Sequence, residues 1–206
     1  MVTQEQVKKK NFSGFKKIEA FKLLGLTDLL PWSIEAPPMA PSAFFQERLA
    51  RLRRHFDLES GEEAKKLLID AICDEALEGI EQIKIWKAAN LEGETTTGVA
   101  DYLIAENKRY LEAPFACVVE AKKDDFEQGL AQCLVELDAC RWSNRQIGRD
   151  IEIFGVVTNG EGWKFYKLAT DRLVHETLLY SLQNLDVLLG AQRHIFQQCE
   201  GNLLKP

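Results

Sequence analysis

The chain has no C-x-x-C pair, no long apolar run and no excess of basic charge, and each absence removes a class of protein. Its five cysteines, Cys73, Cys117, Cys133, Cys140 and Cys199, are odd in number and scattered. That pattern suits reduced, packed thiols and argues against a disulfide framework or a zinc site. The three histidines, His55, His175 and His194, lie far apart and show no ligand spacing, so surface or packing roles are expected of them. Apolar runs extend only a few residues, too short for a membrane-spanning helix. The start, Met1-Val-Thr-Gln-Glu-Gln-Val-Lys-Lys-Lys, lacks the apolar core of a signal peptide, and a cytoplasmic location is the expectation. The net charge of −6 counts against a dedicated nucleic-acid binder. Charge can be segregated, however, and a carboxylate site adds negative charge of its own.

What remains is an ordinary globular composition, 46% hydrophobic and 28% charged over 206 residues. That length makes one sizeable core, or one core with a small extension. The chain is organised around Ala113-Pro-Phe-Ala-Cys-Val-Val-Glu-Ala-Lys-Lys-Asp-Asp. The apolar run Phe115 to Val119 predicts a buried strand. It ends in Glu120-Ala-Lys122, and alternation along an extended chain puts Glu120 and Lys122 on one side. One strand earlier, Thr97-Gly-Val-Ala-Asp-Tyr-Leu-Ile offers Asp101. Two hard oxygen ligands and a nearby amine are what metal-dependent phosphodiester hydrolysis requires.

Residues 1–57 read as helical, with a stripe from Phe15 to Leu24 stopped near Gly25 and a proline-broken linker from Leu30 to Ser42. A second helix follows through Phe45, Leu49, Leu52 and Phe56. Its Arg48, Arg51, Arg53, Arg54 and His55 form either a phosphate-contacting patch or a solvated face. Ser60-Gly-Glu-Glu opens a helix whose apolar stripe includes Glu75, a carboxylate that needs a partner if buried. Strands are expected over residues 80–88, 99–104 and 115–121. A helix then begins at Asp124-Asp125 and carries Phe126, Leu130, Cys133, Leu134, Leu137 and Cys140 on one face. Arg141, Arg145 and Arg149 follow at four-residue steps and either bind phosphates or are solvated. Strands over 151–158 and 163–168 meet at the turn Asn159-Gly-Glu-Gly162. Residues 173–179 suggest a further strand, and 185–198 a closing helix. The plan is α+β, with a mixed central sheet flanked by helices.

Three segments carry a resemblance: Glu63-Ala-Lys-Lys-Leu-Leu-Ile-Asp, Val118-Val-Glu-Ala-Lys-Lys, and Phe154-Gly-Val-Val-Thr-Asn-Gly-Glu-Gly-Trp-Lys-Phe-Tyr. In order and motif they resemble the PD-(D/E)XK nuclease superfamily. The likeness is greatest to nuclease domains at the N-terminus of type I restriction motor subunits and to small bacterial proteins of that build. It spans roughly residues 60–170. It implies a restriction-endonuclease-like αβββαβ core within a domain over 58–206, preceded by a helical N-terminal extension over 1–57. By position, Asp101 resembles the first metal-binding carboxylate and Glu120 the second, with the Ala121 carbonyl as a further ligand. Lys122 would orient the attacking water or stabilise charge on the phosphate. Glu63 resembles an acid that some members carry in the first core helix, and Gln132 the glutamine of the helix after the motif. Ala100 stands where the family has proline. On a helical wheel Gln132 lies nearly opposite Phe126, Leu130 and Leu137, where it would be solvated if that face packs on the sheet.

The implied activity is Mg²⁺- or Mn²⁺-dependent hydrolysis of nucleic-acid phosphodiesters, with DNA the expected substrate. Many members dimerise to cut both strands, which leaves a homodimer open. The competing expectation is a catalytically silent module of the same shape that binds a partner protein or nucleic acid.

Overall fold

A computed structural model describes residues 9–122 and 125–204. The predicted helix start at Asp124 therefore lies partly outside the described residues, as do residues 1–8 of the N-terminal stretch. β1 (Lys10–Asn11), α1 (Lys17–Leu24), β2 (Leu30–Pro31) and α2 (Ala43–His55) come first. Next are α3 (Glu62–Leu77), β3 (Ile83–Glu92), β4 (Thr96–Glu106) and β5 (Phe115–Ala121). α4 (Phe126–Gln146), β6 (Ile153–Thr158), β7 (Gly162–Leu168), β8 (Val174–Glu176), β9 (Tyr180–Ser181) and α5 (Leu185–Leu204) complete the chain. The fold is α+β, one mixed sheet with helices on both faces.

The strands run in the order β1-β4-β5-β6-β7-β8-β2, with β3 also on β4 and β9 also on β7. β3, β4 and β5 form an antiparallel meander, whereas β5 and β6 are parallel. A parallel neighbour needs a crossover, and α4 supplies it. All seven residues of β5 are buried, because helices cover both faces of the sheet at its centre. Tyr102, Ile104, Val119, Phe154 and Val156 face one core with residues of α2, α3 and α5. Leu103, Val118, Val157 and Tyr166 face the other with residues of α4 and α1.

The N-terminal stretch departs from the helical reading. Lys10 and Asn11 pair in parallel with Thr96 and Thr97 of β4, and Leu30 and Pro31 pair with β8. Phe12 and Phe15 enter one core and Phe45 and Leu49 the other, so this stretch is built into the sheet and its cores. β3 and β4 are longer than the sequence suggests, and the turn-rich span between them shrinks to residues 93–95. The region after β7 splits into β8 and β9, and α5 runs six residues past its expected end, to Leu204. The five cysteines are all free and buried, Cys199 included.

Glu75 is resolved as a structural group. Its carboxylate accepts hydrogen bonds from the Ser42 amide at 2.5 Å and the Ser42 hydroxyl at 2.9 Å. Ser42 Oγ in turn accepts from the Phe45 amide, so a buried acid of α3 holds the N-cap of α2. Four of the arginines are likewise engaged: Arg48 with Asp74, Arg51 with Glu47, Arg141 with Asp138 and Arg145 with Asp150, whereas Arg53 and Arg54 are exposed. α4 ends at Gln146, and Arg149 donates to the carbonyls of Asn202 and Leu203. The three arginines expected at helical steps therefore do not share a helix face.

Candidate active site

The register of β4 on β5 pairs Tyr102 with Val119 and Leu103 with Val118. One step further along the same register lie Asp101 and Glu120, at the end of β5 that leads to α4. Opposed residues of an antiparallel pair share a face. Glu120 is 1% exposed, and its Oε1 lies 2.6 Å from Lys122 Nζ. Asp101 Oδ2 accepts from the Ala121 amide at 3.0 Å, and Asp101 Oδ1 lies 2.9 Å from Lys66 Nζ on α3. The end of β5 is fixed by its other neighbour, since the Lys122 amide donates to the Thr158 carbonyl at 2.8 Å.

The β6–β7 turn beside it is held by its own side chains. Asn159 Oδ1 accepts from the amides of Glu161 and Gly162. Thr158 Oγ1 accepts from the Gly160 amide and donates to the Gly162 carbonyl. Gly160 has φ +88°, a conformation that glycine adopts without the steric cost of a side chain. The buried indole of Trp163 donates to the Gly160 carbonyl at 3.1 Å.

α4 closes the site from one side. Asp125 caps it by accepting from the Gln128 amide at 2.8 Å. Gln132 is buried, not solvated. Its Oε1 accepts from Lys122 Nζ at 3.2 Å and its Nε2 donates to Glu136 Oε1 at 3.1 Å. The wheel reading fails because α4 is covered by the sheet on one side and by α1 on another, leaving residues 129–137 buried without a break. Gly129 permits that closeness. A Cβ there would stand 2.6 Å from Val157 Cγ1 and 3.0 Å from Lys122 Cγ.

Two further residues belong to the constellation and were missed in the sequence. Glu136 is fully buried and close enough to Glu120 for a shared hydrogen bond if one carboxyl carries a proton. Glu120 Oε2 and Glu136 Oε2 have no other donor among the described residues. Lys66 joins three carboxylates, since besides Asp101 it lies 2.8 Å from Glu63 Oε1 and 3.4 Å from Glu62 Oε1. The usable signals were positional: Glu136 lies one helical turn from Gln132 inside an apolar run, and Lys66 one turn from Glu63. Glu63 itself, at 86% side-chain exposure, reaches the site only through Lys66.

The electrostatics follow from this crowding. Burial, and then the Asp101 charge, push the Glu120 carboxyl up to about 7 against the pull of Lys122. Burial and Glu120 push Glu136 well above the usual carboxylate range. Burial works against the Lys122 ammonium, but Glu120 beside it raises it above its ordinary value. Burial likewise opposes the Lys66 charge, and hydrogen bonds to Glu63 and Asp101 outweigh it.

No protein-family model matches the chain. It is 25% identical over 150 residues to Crinkler effector protein 5 of Phytophthora infestans, across 67% of this chain. The match takes in 38% of that protein, so the chain spans well under half the length of this relative.

Proposed function

We propose that the protein is a divalent-cation-dependent nuclease of the PD-(D/E)XK type, acting on DNA phosphodiesters. The observation that supports this most is the meeting of Asp101, Glu120 and Lys122 at one end of adjacent strands. The donor set suits a hard cation. The Glu136 carboxyl apart, Glu120 Oε2 is buried without a donor among the described residues, and a positive ion beside it would relieve the repulsion from Asp101. Among the described residues no group of three acidic, histidine or cysteine side chains is placed to hold a metal. Two carboxylates are still compatible with Mg²⁺, which keeps several waters and is often bound by one or two carboxylates plus substrate phosphate. Asp101, Glu120 and the Ala121 carbonyl would hold it.

When bound, such a cation supplies Lewis-acid polarisation of the phosphoryl oxygen and a water of lowered pKa. The rest is carried by this chain. The Ala121 amide fixes the Asp101 carboxylate, and Glu120 and Gln132 hold Lys122 Nζ from two sides. Lys122 is thereby kept charged, ready to stabilise the negative charge that develops on the phosphate. The depth of Glu120 keeps bulk water from screening these charges.

A silent, partner-binding module is favoured by one observation: Leu178 and Leu179 are exposed on the surface beside Trp32 and Val187. Plasmid and single-stranded DNA incubated with Mg²⁺ or Mn²⁺, and then with EDTA, separate the two readings. Cleavage that needs the cation and disappears in Lys122→Ala and Glu120→Ala supports the nuclease. Cleavage untouched by either substitution would be contamination. Absence of both cleavage and calorimetric cation binding would leave the silent module.

A further inference from the structure

Asp101 is approached from both helical layers. On one side stand Glu120 and Lys122, with Gln132 and Glu136 of α4 behind them. On the other stands α3, which packs in the opposite core and delivers Lys66 to Asp101 Oδ1 at 2.9 Å. Lys66 Nζ also lies 2.8 Å from Glu63 Oε1 and 3.4 Å from Glu62 Oε1. One compact positive charge thus sits among oxygens of three carboxylates, drawn from the first turn of α3 and from β4. A second divalent ion on this flank of Asp101 would have to draw on these oxygens, and the ammonium stands among them instead. The lysine is not a loose surface group, because its side chain is only 15% exposed. Its backbone carbonyl also accepts from the buried Tyr102 hydroxyl at 3.4 Å, which ties this turn of α3 to β4.

Resting on the nuclease reading, we infer that Lys66 Nζ takes the place of a second cation, so that the site accepts one divalent ion, on the Glu120 flank of Asp101. A carboxylate oxygen has two lone pairs, so Asp101 can accept from Lys66 and Ala121 and still serve one ion. The ammonium supplies fixed positive charge without coordination requirements, and a helix side chain delivers it without any ion having to be recruited. Asp101, Glu62 and Glu63 are not arranged round a metal as they stand, but with a neutral side chain at position 66 their charges face one another uncompensated and draw a hard cation to that flank.

The test is Mn²⁺ binding to the full chain, counted by isothermal titration calorimetry and by loss of the free-ion electron paramagnetic resonance signal. The wild type takes up one equivalent, Lys66→Gln two, Lys66→Arg one, and Lys66→Gln combined with Glu63→Gln returns to one. Wild-type uptake of two equivalents, or a spin-coupled manganese pair, overturns the inference without recourse to any variant. One equivalent in both wild type and a folded Lys66→Gln, with unchanged affinity, overturns it while leaving the nuclease reading standing. No uptake by the wild type overturns the nuclease reading and this inference with it. Thermal melts accompany each variant, and if Lys66→Gln does not fold, Lys66→Met is expected to take up two equivalents in the same measurement.

Discussion

Glu75 and Glu120 are both buried glutamates, at 6% and 1% exposure, and the protein houses them differently. Both oxygens of Glu75 receive a hydrogen bond from Ser42, and the pair joins α3 to α2. Glu120 has Lys122 on one oxygen and, the Glu136 carboxyl apart, no donor to the other among the described residues, with the Asp101 charge beside it. A satisfied buried carboxylate offsets its desolvation and acts as a clamp. An under-satisfied one beside like charges carries a cost that is relieved only by something added, a proton or a cation. Depth of burial therefore does not distinguish the acid that clamps two helices from the acid proposed to hold a cation. Unmet bonding capacity does.

Under the proposed nuclease function, the largest effect that can break this contrast is on cleavage. Glu120→Gln is expected to lower Mn²⁺-dependent plasmid cleavage by about 10³-fold, whereas Glu75→Gln, assayed well below its melting temperature, stays within about twofold. Equal losses in the two would erase the distinction.

Stability should run the opposite way. Glu75→Ala strips Ser42 of its acceptor and is expected to cost about 2 kcal/mol in urea unfolding. Glu120→Gln is expected to stabilise the cation-free protein by about 2 kcal/mol at pH 8. The sign follows from linkage. The folded carboxyl, pushed up to about 7, holds its proton more tightly than the unfolded one, at about 4.3. Wild-type stability therefore falls as pH rises between those values and is level in this respect above them. Urea melts of the wild type and Glu120→Gln at pH 5, 6, 7 and 8 should diverge across that window. A constant difference would show that Glu120 is not under strain.

Two smaller effects sharpen the boundary of the site. Gln132→Ala removes one of the two acceptors of Lys122 and should cost about tenfold in cleavage, equivalent to about 1.4 kcal/mol. Glu63→Gln should change cleavage by less than about threefold, because that carboxylate is in water and reaches Asp101 only through Lys66. A larger loss at position 63 than at 132 would move the working group from α4 to α3.

The parts of this arrangement legible in the sequence are those with a local signature. An apolar run ending in Glu-x-Lys announces β5 and puts Glu120 and Lys122 on one side. Asn159-Gly-Glu-Gly162 announces the hairpin. Asp101 follows from strand order alone. The strands Lys10–Asn11 and Leu30–Pro31 have no such signature, since two residues carry no periodicity and only pairing with β4 and β8 makes them strands. Gln132 and Glu136 were obscured for a different reason. A wheel separates wet from dry faces only for a helix with one buried side, and α4 has more than one. Lys66 reads as one of many surface lysines until α3 is laid against β4.

The bare backbone at position 129 carries a consequence for anyone who would rebuild this constellation elsewhere. Adding a single methyl group there, as in Gly129→Ala, would wedge the crossover helix off the sheet by its first turns and draw the amide of Gln132 away from its ammonium partner. The spacing between Lys122 and Gln132 is thus governed by a residue without a side chain, and a transplanted motif that omits it would have every named side chain and the wrong distances between them.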